Sequence, residues 1–198
     1  AKAMGRDGRI SPKFLHPGPG FGGSCFPKDI KAFAKLARQN NLTVNTVEAA
    51  IKANESQKER MVEKLRDLIG GNFKDKSIAI LGLAFKPNTD DVRESPAIYL
   101  INIINEEGGH VKAYDPISND NMKLIFPDLE YCSNWQEACK NADAVAVITE
   151  WNEFRSINLR VLSSLLKAPV VLDARNIFDI LKLQENNFTY RNFGRQGL

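Results

Sequence analysis

No stretch of eighteen consecutive apolar residues occurs in this 198-residue sequence, and the charged, apolar, small-residue series of a secretory leader is missing as well. Neither a membrane-crossing helix nor an export signal is expected. Cysteine and histidine are scarce: Cys25, Cys132 and Cys139 form neither an even disulfide framework nor a CxxC pair, and only His16 and His110 stand beside them. A disulfide scaffold and a metal site are therefore not expected, and the cytoplasm, where thiols stay reduced, is the expected compartment. Dense Lys/Arg runs with interleaved aromatics are also lacking, which argues against nucleic acid as a partner.

What is present suits an ordinary globular chain with a sizeable core, at 43% hydrophobic and 26% charged residues. The net charge of +3 hides an asymmetry. Up to Lys74 there are 14 Lys and Arg against 7 Asp and Glu, whereas from Asp75 onward 13 face 17. The basic first segment favours an anionic small ligand. The opening "AKAMGRDGRI" has no initiator methionine and reads as the interior of a longer protein.

"PKDIKAFAKLARQN" sets Ile30, Phe33, Ala34 and Ala37 at helical spacing, with Pro27 suited to the first position. A longer helical pattern covers 45–69, with Val47, Ile51, Met61, Leu65, Leu68 and Ile69 on its apolar side and Gly70-Gly71 as its stop. That side needs a cover, either the following domain or a second copy of the chain. After Lys74 the pattern alternates. "SIAILGLAF", "HVKAYDP", "DAVAVIT", "APVVLDAR" and a short "FTYRNFG" read as strands, with helical stretches between them. The expected fold is α/β: a helical region over 1–74, followed over 75–198 by a Rossmann-like, doubly wound parallel sheet. Ligands of such sheets bind beyond the carboxyl ends of the strands, which draws attention to "GLAFKPNTDDVRES", "YDPIS", "TEWNEF" and "DARNIF". The first lacks the G-x-G-x-x-G spacing of a dinucleotide site. Lys86 and Arg93, with Phe85, instead suit a phosphate chain and a flat base, the competing reading being a solvated loop rich in charge.

Four glycines and two prolines precede Cys25 in "HPGPGFGGSCFPKD". A cysteine just ahead of a helix meets unpaired N–H groups and the positive end of the helix dipole, which stabilise negative charge on sulfur. Lys28 adds a positive charge, and Asp29, four residues on, falls on the same helical side and is suited to hold a water or accept a proton. The glycines are expected to let a ligand approach the backbone. The competing reading makes Cys25 a small buried hydrophobe beside a turn. No histidine stands near enough in sequence to favour a Cys/His hydrolase pair. Cys132 and Cys139, flanking Trp135, read as packing residues.

"GRDGRISPKFLHPGPGFGGSCFPKD", "GLAFKPNTDDVRES", "YDP", "ADAVAVITEW" and "DARNIF" together resemble, in order, the central and C-terminal parts of the UDP-glucose/GDP-mannose dehydrogenase family. The spelling around the cysteine is most similar to its UDP-glucose 6-dehydrogenases. The resemblance implies NAD-dependent oxidation of UDP-glucose to UDP-glucuronate in two hydride transfers through a cysteine thiohemiacetal and thioester. On its pattern Cys25 is the nucleophile and Asp29 its helper. Phe14, Phe21, Gly22, Phe85, Lys86 and Arg175 match substrate positions, and Arg93 a cofactor position. Arg9 matches an arginine that reaches the substrate of a neighbouring subunit, so a homodimer, built largely through the helix near 45–69, is expected. The family's N-terminal NAD-binding domain and its proton-handling threonine, glutamate, lysine and asparagine are not in this sequence, so this chain alone is expected to be inactive. The alternatives are a non-catalytic module that binds a nucleotide sugar and dimerises, or a dehydrogenase of another nucleotide sugar such as GDP-mannose.

Overall fold

The computed structural model describes residues 1–12 and 15–194. Two helices come first, α1 (Phe26–Gln39) and α2 (Asn45–Ile69). The chain then alternates through β1 (Ser77–Leu81), α3 (Pro96–Glu106), β2 (His110–Tyr114), α4 (Asn119–Lys123), β3 (Glu130–Tyr131), α5 (Trp135–Cys139) and β4 (Ala144–Val147). It ends through α6 (Asn152–Arg155), α7 (Leu159–Leu165), β5 (Val170–Asp173), α8 (Ile180–Glu185) and β6 (Thr189–Asn192). The strands form one parallel sheet in the order β3-β2-β1-β4-β5-β6, the doubly wound α/β arrangement expected from the sequence.

Successive side chains of a strand point to opposite faces, and β1 shows how both faces are filled. Ile78 and Ile80 join Met61, Leu65, Leu100 and Ile104 in one apolar layer, while Ala79 and Leu81 join Trp135, Phe154 and Leu162 in the other. With both faces covered, the strand reads as an unbroken apolar run. Three short elements, β3, α4 and α6, were not expected, because two to five residues carry no detectable period.

α2 occupies the predicted span, and Gly70 closes it in the left-handed region at φ 92°. Its apolar side is covered within the chain: Met61 and Leu65 are fully buried, and Leu68 and Ile69 pack against the same layer. The C-terminal half of that side therefore lies on the sheet, while Val47 and Ile51 in the N-terminal half are only partly buried. Exposed apolar residues stand on α1, with Phe33 at 51% and Leu36 at 57% exposure. α1 buries only its small residues Ala34 and Ala37 together with Pro27, which brings its backbone close to α2.

Strand register brings the functional loops to one edge. Leu81 pairs with Tyr114 and Val147, Val147 with Asp173, and Asp173 with Asn192, so the following residues all leave the sheet together. At this edge the Asp115 carboxylate is buried and accepts five hydrogen bonds. They come from the Leu83 (2.8 Å), Ala84 (3.1 Å), Ile117 (3.0 Å) and Ser118 (2.9 Å) amides and from Trp151 Nε1 (3.0 Å). The loop after β1, which in a dinucleotide fold offers its amides to a pyrophosphate, here offers them to an internal carboxylate. Gly82, at φ 95°, makes the turn, and a Cβ there would lie 2.5 Å from Thr149 Cβ. Replacing Asp115 by Ala strands several buried donors and is expected to cost more than about 3 kcal/mol in urea unfolding. Replacing the exposed Asp128 is expected to cost less than about 0.5 kcal/mol.

Candidate active site

Cys25 is solvent-exposed at the N-cap position of α1, one residue before the helix, with Pro27 in the first turn. The buried-hydrophobe reading is therefore set aside. The Cys25 carbonyl accepts from the Asp29 amide at 2.9 Å, which fixes the backbone of the thiol residue into the helix start. Its Sγ lies 3.7 Å from Ser24 Oγ. Before it, each turn of the glycine loop meets a different neighbour. Asn54 of α2 takes the Phe21 amide on Oδ1 at 2.7 Å and returns a bond from Nδ2 to the Phe21 carbonyl at 3.1 Å. The Gly23 amide donates to the Arg93 carbonyl at 2.9 Å.

The glycines serve this packing. A Cβ on Gly20 would stand 2.5 Å from Asn54 Oδ1, one on Gly22 would strike the Glu94 carbonyl, and one on Gly23 would fall 2.7 Å from the Phe85 ring. Gly20 and Gly23 also have φ of 108° and 85°. The expectation that these residues are small so that a ligand can approach is corrected here: the protein's own loops lie against Gly20, Gly22 and Gly23.

The exposed thiol belongs to a segment whose residues line two clefts, although Cys25 itself lines neither. One, of about 810 Å³, is lined by Phe21, Gly22, Phe26, Phe85, Lys86 and Arg175. The other, of about 650 Å³, is lined by Gly23, Ser24, Lys28, Lys31, Lys58 and Arg93. Residues on either side of Cys25 in sequence therefore line both. Five of the predicted substrate positions meet in the larger cleft, and Arg93 falls in the smaller one. Arg9 lines neither: its side chain is 89% exposed and forks onto Asp7. Asp29 also lines neither, and its carboxylate pairs with Lys28 at 2.5 Å. Phe14 lies outside the described residues.

The cations of the clefts differ in how far the fold engages them. Arg175 Nε donates to the Ile148 carbonyl at 2.6 Å, its Nη2 to the Phe85 carbonyl at 3.3 Å, and Glu150 Oε2 lies 3.2 Å from Nε as an ion pair without hydrogen-bond geometry. Burial holds this guanidinium below the usual arginine range, with Glu150 opposing the shift. Lys86 is exposed and rests its Nζ 5.2 Å from the Phe85 ring centroid. In the smaller cleft Arg93 forks onto Asp91, with both contacts at 2.8 Å, and Lys28 pairs with Asp29. These carboxylates raise the pKa of each cation, and a thiolate at Cys25 adds to both, so the two positive groups lie within electrostatic reach of the sulfur.

His16, Glu150, Arg155 and Asn176 line the larger cleft without having been singled out as site residues. Glu150 and Asn176 lie inside the strand-end stretches that topology flags, and Arg155 follows one by a single residue. That signal names stretches, not side chains. Asn54, in the middle of a long polar-looking helix, gave no signal. Burial pushes the thiols of Cys132 and Cys139 up to about 11 and about 12. Iodoacetamide at pH 8 is therefore expected to label Cys25 in the folded protein and the other two only after urea unfolding, read by peptide mass mapping.

Two sequence models match the chain: the UDP-glucose/GDP-mannose dehydrogenase family central domain over residues 1–56 and its UDP binding domain over residues 79–180. The UDP-glucose 6-dehydrogenase of Rhizobium meliloti (strain 1021) is 42% identical over 195 residues, 98% of this chain and 45% of that protein. UDP-glucose 6-dehydrogenase TuaD of Bacillus subtilis (strain 168) is 41% identical over 196 residues, 98% of this chain and 42% of that protein. Among solved structures, a UDP-glucose dehydrogenase from the hyperthermophilic archaeon Pyrobaculum islandicum superposes with a TM-score of 0.83 at 30% identity, covering 98% of this chain and 42% of that one. The chain thus spans a little under half the length of these relatives. One match ends within α2 and the other begins within β1, so that between them they take in the cysteine loop and the strand-end loops facing it; the chain belongs to the UDP-glucose/GDP-mannose dehydrogenase family.

Proposed function

We propose that these residues form the nucleophile-bearing and nucleotide-sugar-binding half of an NAD-dependent UDP-glucose 6-dehydrogenase that yields UDP-glucuronate. The observation that carries this reading is the place of Cys25: an exposed thiol at a helix start, with a cleft suited to a nucleotide sugar on one side and a basic cleft on the other.

In the larger cleft Lys86 faces the diphosphate as its counter-charge, and Phe85 and Phe21 supply apolar surface for the flat base and the sugar. Arg175 holds the walls of this cleft together while its remaining N–H groups face the ligand. The chemistry needs a sulfur because an aldehyde at C6 has no C–H next to a hydroxyl until a nucleophile adds. The Cys25 thiolate attacks the aldehyde carbon to give a thiohemiacetal. Loss of a second hydride leaves a thioester, and water hydrolyses it to the carboxylate and the free thiol. Asp29 positions that water and tunes the sulfur. For one UDP-glucose and one water, two NAD⁺ are reduced and three protons are released.

NAD supplies the hydride acceptor. Among this chain's residues Arg93 fits it, as a side chain 67% exposed in the cleft beside the thiol. The sheet edge does not, because Asp115 takes the amides that a dinucleotide would need. The cofactor is therefore held mainly by a part of the protein outside these residues, and this chain alone does not turn over. Arg9 serves the site of a second copy in a homodimer; its exposure outside both clefts and the exposed apolar side chains of α1 support this reading.

In the full-length protein, two NADH are expected per UDP-glucuronate, and Cys25→Ser is expected to abolish acid formation; normal acid formation by that variant removes Cys25 from the mechanism. Lys86→Ala is expected to weaken UDP binding by about 1.5–3 kcal/mol, roughly ten- to a hundredfold, by calorimetry. Purified residues 1–198 that reduce NAD with UDP-glucose would overturn the division of labour.

A further inference from the structure

The glycine loop has a single buried polar anchor on the helical side, and the reaction sequence assigns it no part. Asn54 is 7% exposed, sits midway along α2, and uses both ends of its amide on one residue of the loop, Phe21. The paired bonds fix both position and rotation of the Phe21 peptide groups, which one bond would not. Gly20 is flattened against the same amide oxygen at a φ that side chains avoid, so the loop has no room to shift toward α2.

From Phe21 the constraint passes toward Cys25 along the chain and through a ring contact that spans it. The Phe21 ring meets the Phe26 ring edge-on at 4.7 Å, and these two residues bracket Cys25 in sequence. The segment between them forms a closed staple: Asn54 anchors one end, the ring pair closes it, and the first turn of α1 holds the other end through the Asp29 amide bond to the Cys25 carbonyl. Without the amide anchor, Phe21 keeps its ring partner but loses its fixed peptide planes, and the sulfur loses its register against the cleft.

We propose that Asn54 is a positioning residue for the Cys25 nucleophile, needed more for sulfur addition at the aldehyde than for the first hydride transfer. This rests on the dehydrogenase reading above and deepens it. The first hydride leaves a bound alcohol, which requires no bond to sulfur. The second requires the thiolate at bonding distance from C6, where misplacement by about 1 Å lowers the rate on the order of a hundredfold.

The test is the ratio of NADH to UDP-glucuronate in the full-length enzyme. With the wild type it is two, since each molecule completes both oxidations. In Asn54→Ala the aldehyde outlives its capture and escapes, so the ratio rises above two and hydroxylamine traps the difference as an oxime. Asn54→Asp, which keeps the acceptor for the Phe21 amide and loses the donor to its carbonyl, is expected to show a smaller rise and serves if the alanine variant folds poorly. A general loss of folded enzyme lowers both oxidations together and leaves the ratio at two. A ratio of two in either folded variant, or loss of both products together, overturns the inference while leaving the dehydrogenase reading intact. A wild-type enzyme that forms no acid defeats the underlying reading instead.

Discussion

The Gly23 amide donates to the Arg93 carbonyl at 2.9 Å, and the site depends on the approach this bond records. Residues 20–25 and 82–95 are far apart in sequence and must touch backbone to backbone. That approach leaves no volume for a side chain at Gly22, which would strike the Glu94 carbonyl, or at Gly23, against which the Phe85 ring lies. With the two loops pressed together, residues that flank Cys25 in sequence line both clefts, and the exposed thiol belongs to the segment they share.

The contact can form only if the 82–95 loop keeps one shape, and buried polar groups hold it. Asp115 gathers the start of that loop, the turn after β2 and the Trp151 indole around one carboxylate. Thr149 Oγ1 donates to the Ala84 carbonyl at 2.5 Å, and Arg175 reaches across from the end of β5 to the Phe85 carbonyl. Each bond joins the loop to a different strand end, so the loop moves as part of the sheet edge. Asp115 and Thr149, engaged in this way, are poor ligands for anything else. The arrangement therefore leaves the exposed Lys86 as the cation with least commitment to the fold in that loop.

The sheet was legible because burial on both faces writes long apolar runs, and α2 because its 45–69 pattern ends at a glycine pair. The site was legible as far as local chemistry goes: a thiol before a proline-started helix, glycines ahead of it, and strand-end loops that topology sends to one edge. What the chain did not disclose were relations across space. α2's apolar side has the same period whether it meets the sheet or a second copy, so Met61 and Leu65 could not be assigned a partner until the sheet was placed. Asn54 is indistinguishable in sequence from a solvated helix residue, since a hydrogen bond to a residue 33 positions away leaves no local mark. The glycines were read for what they permit, and only the fold shows that Asn54, Glu94 and Phe85 occupy the space they leave.

Rigidity at the sulfur follows from what the proposed chemistry demands. Two hydrides leave the same carbon: the first turns the alcohol into an aldehyde, and before the second leaves that carbon must become a thiohemiacetal. A nucleophile carried by a free loop would pay the entropy of being placed anew at each stage. Here the constraints on Cys25 come from the helix start, the Phe21–Phe26 ring pair and the Gly23–Arg93 bond, and none of them uses the ligand in either cleft. The thiol's place is thus set before any ligand enters either cleft. This is the structural condition for capturing an aldehyde before it diffuses away.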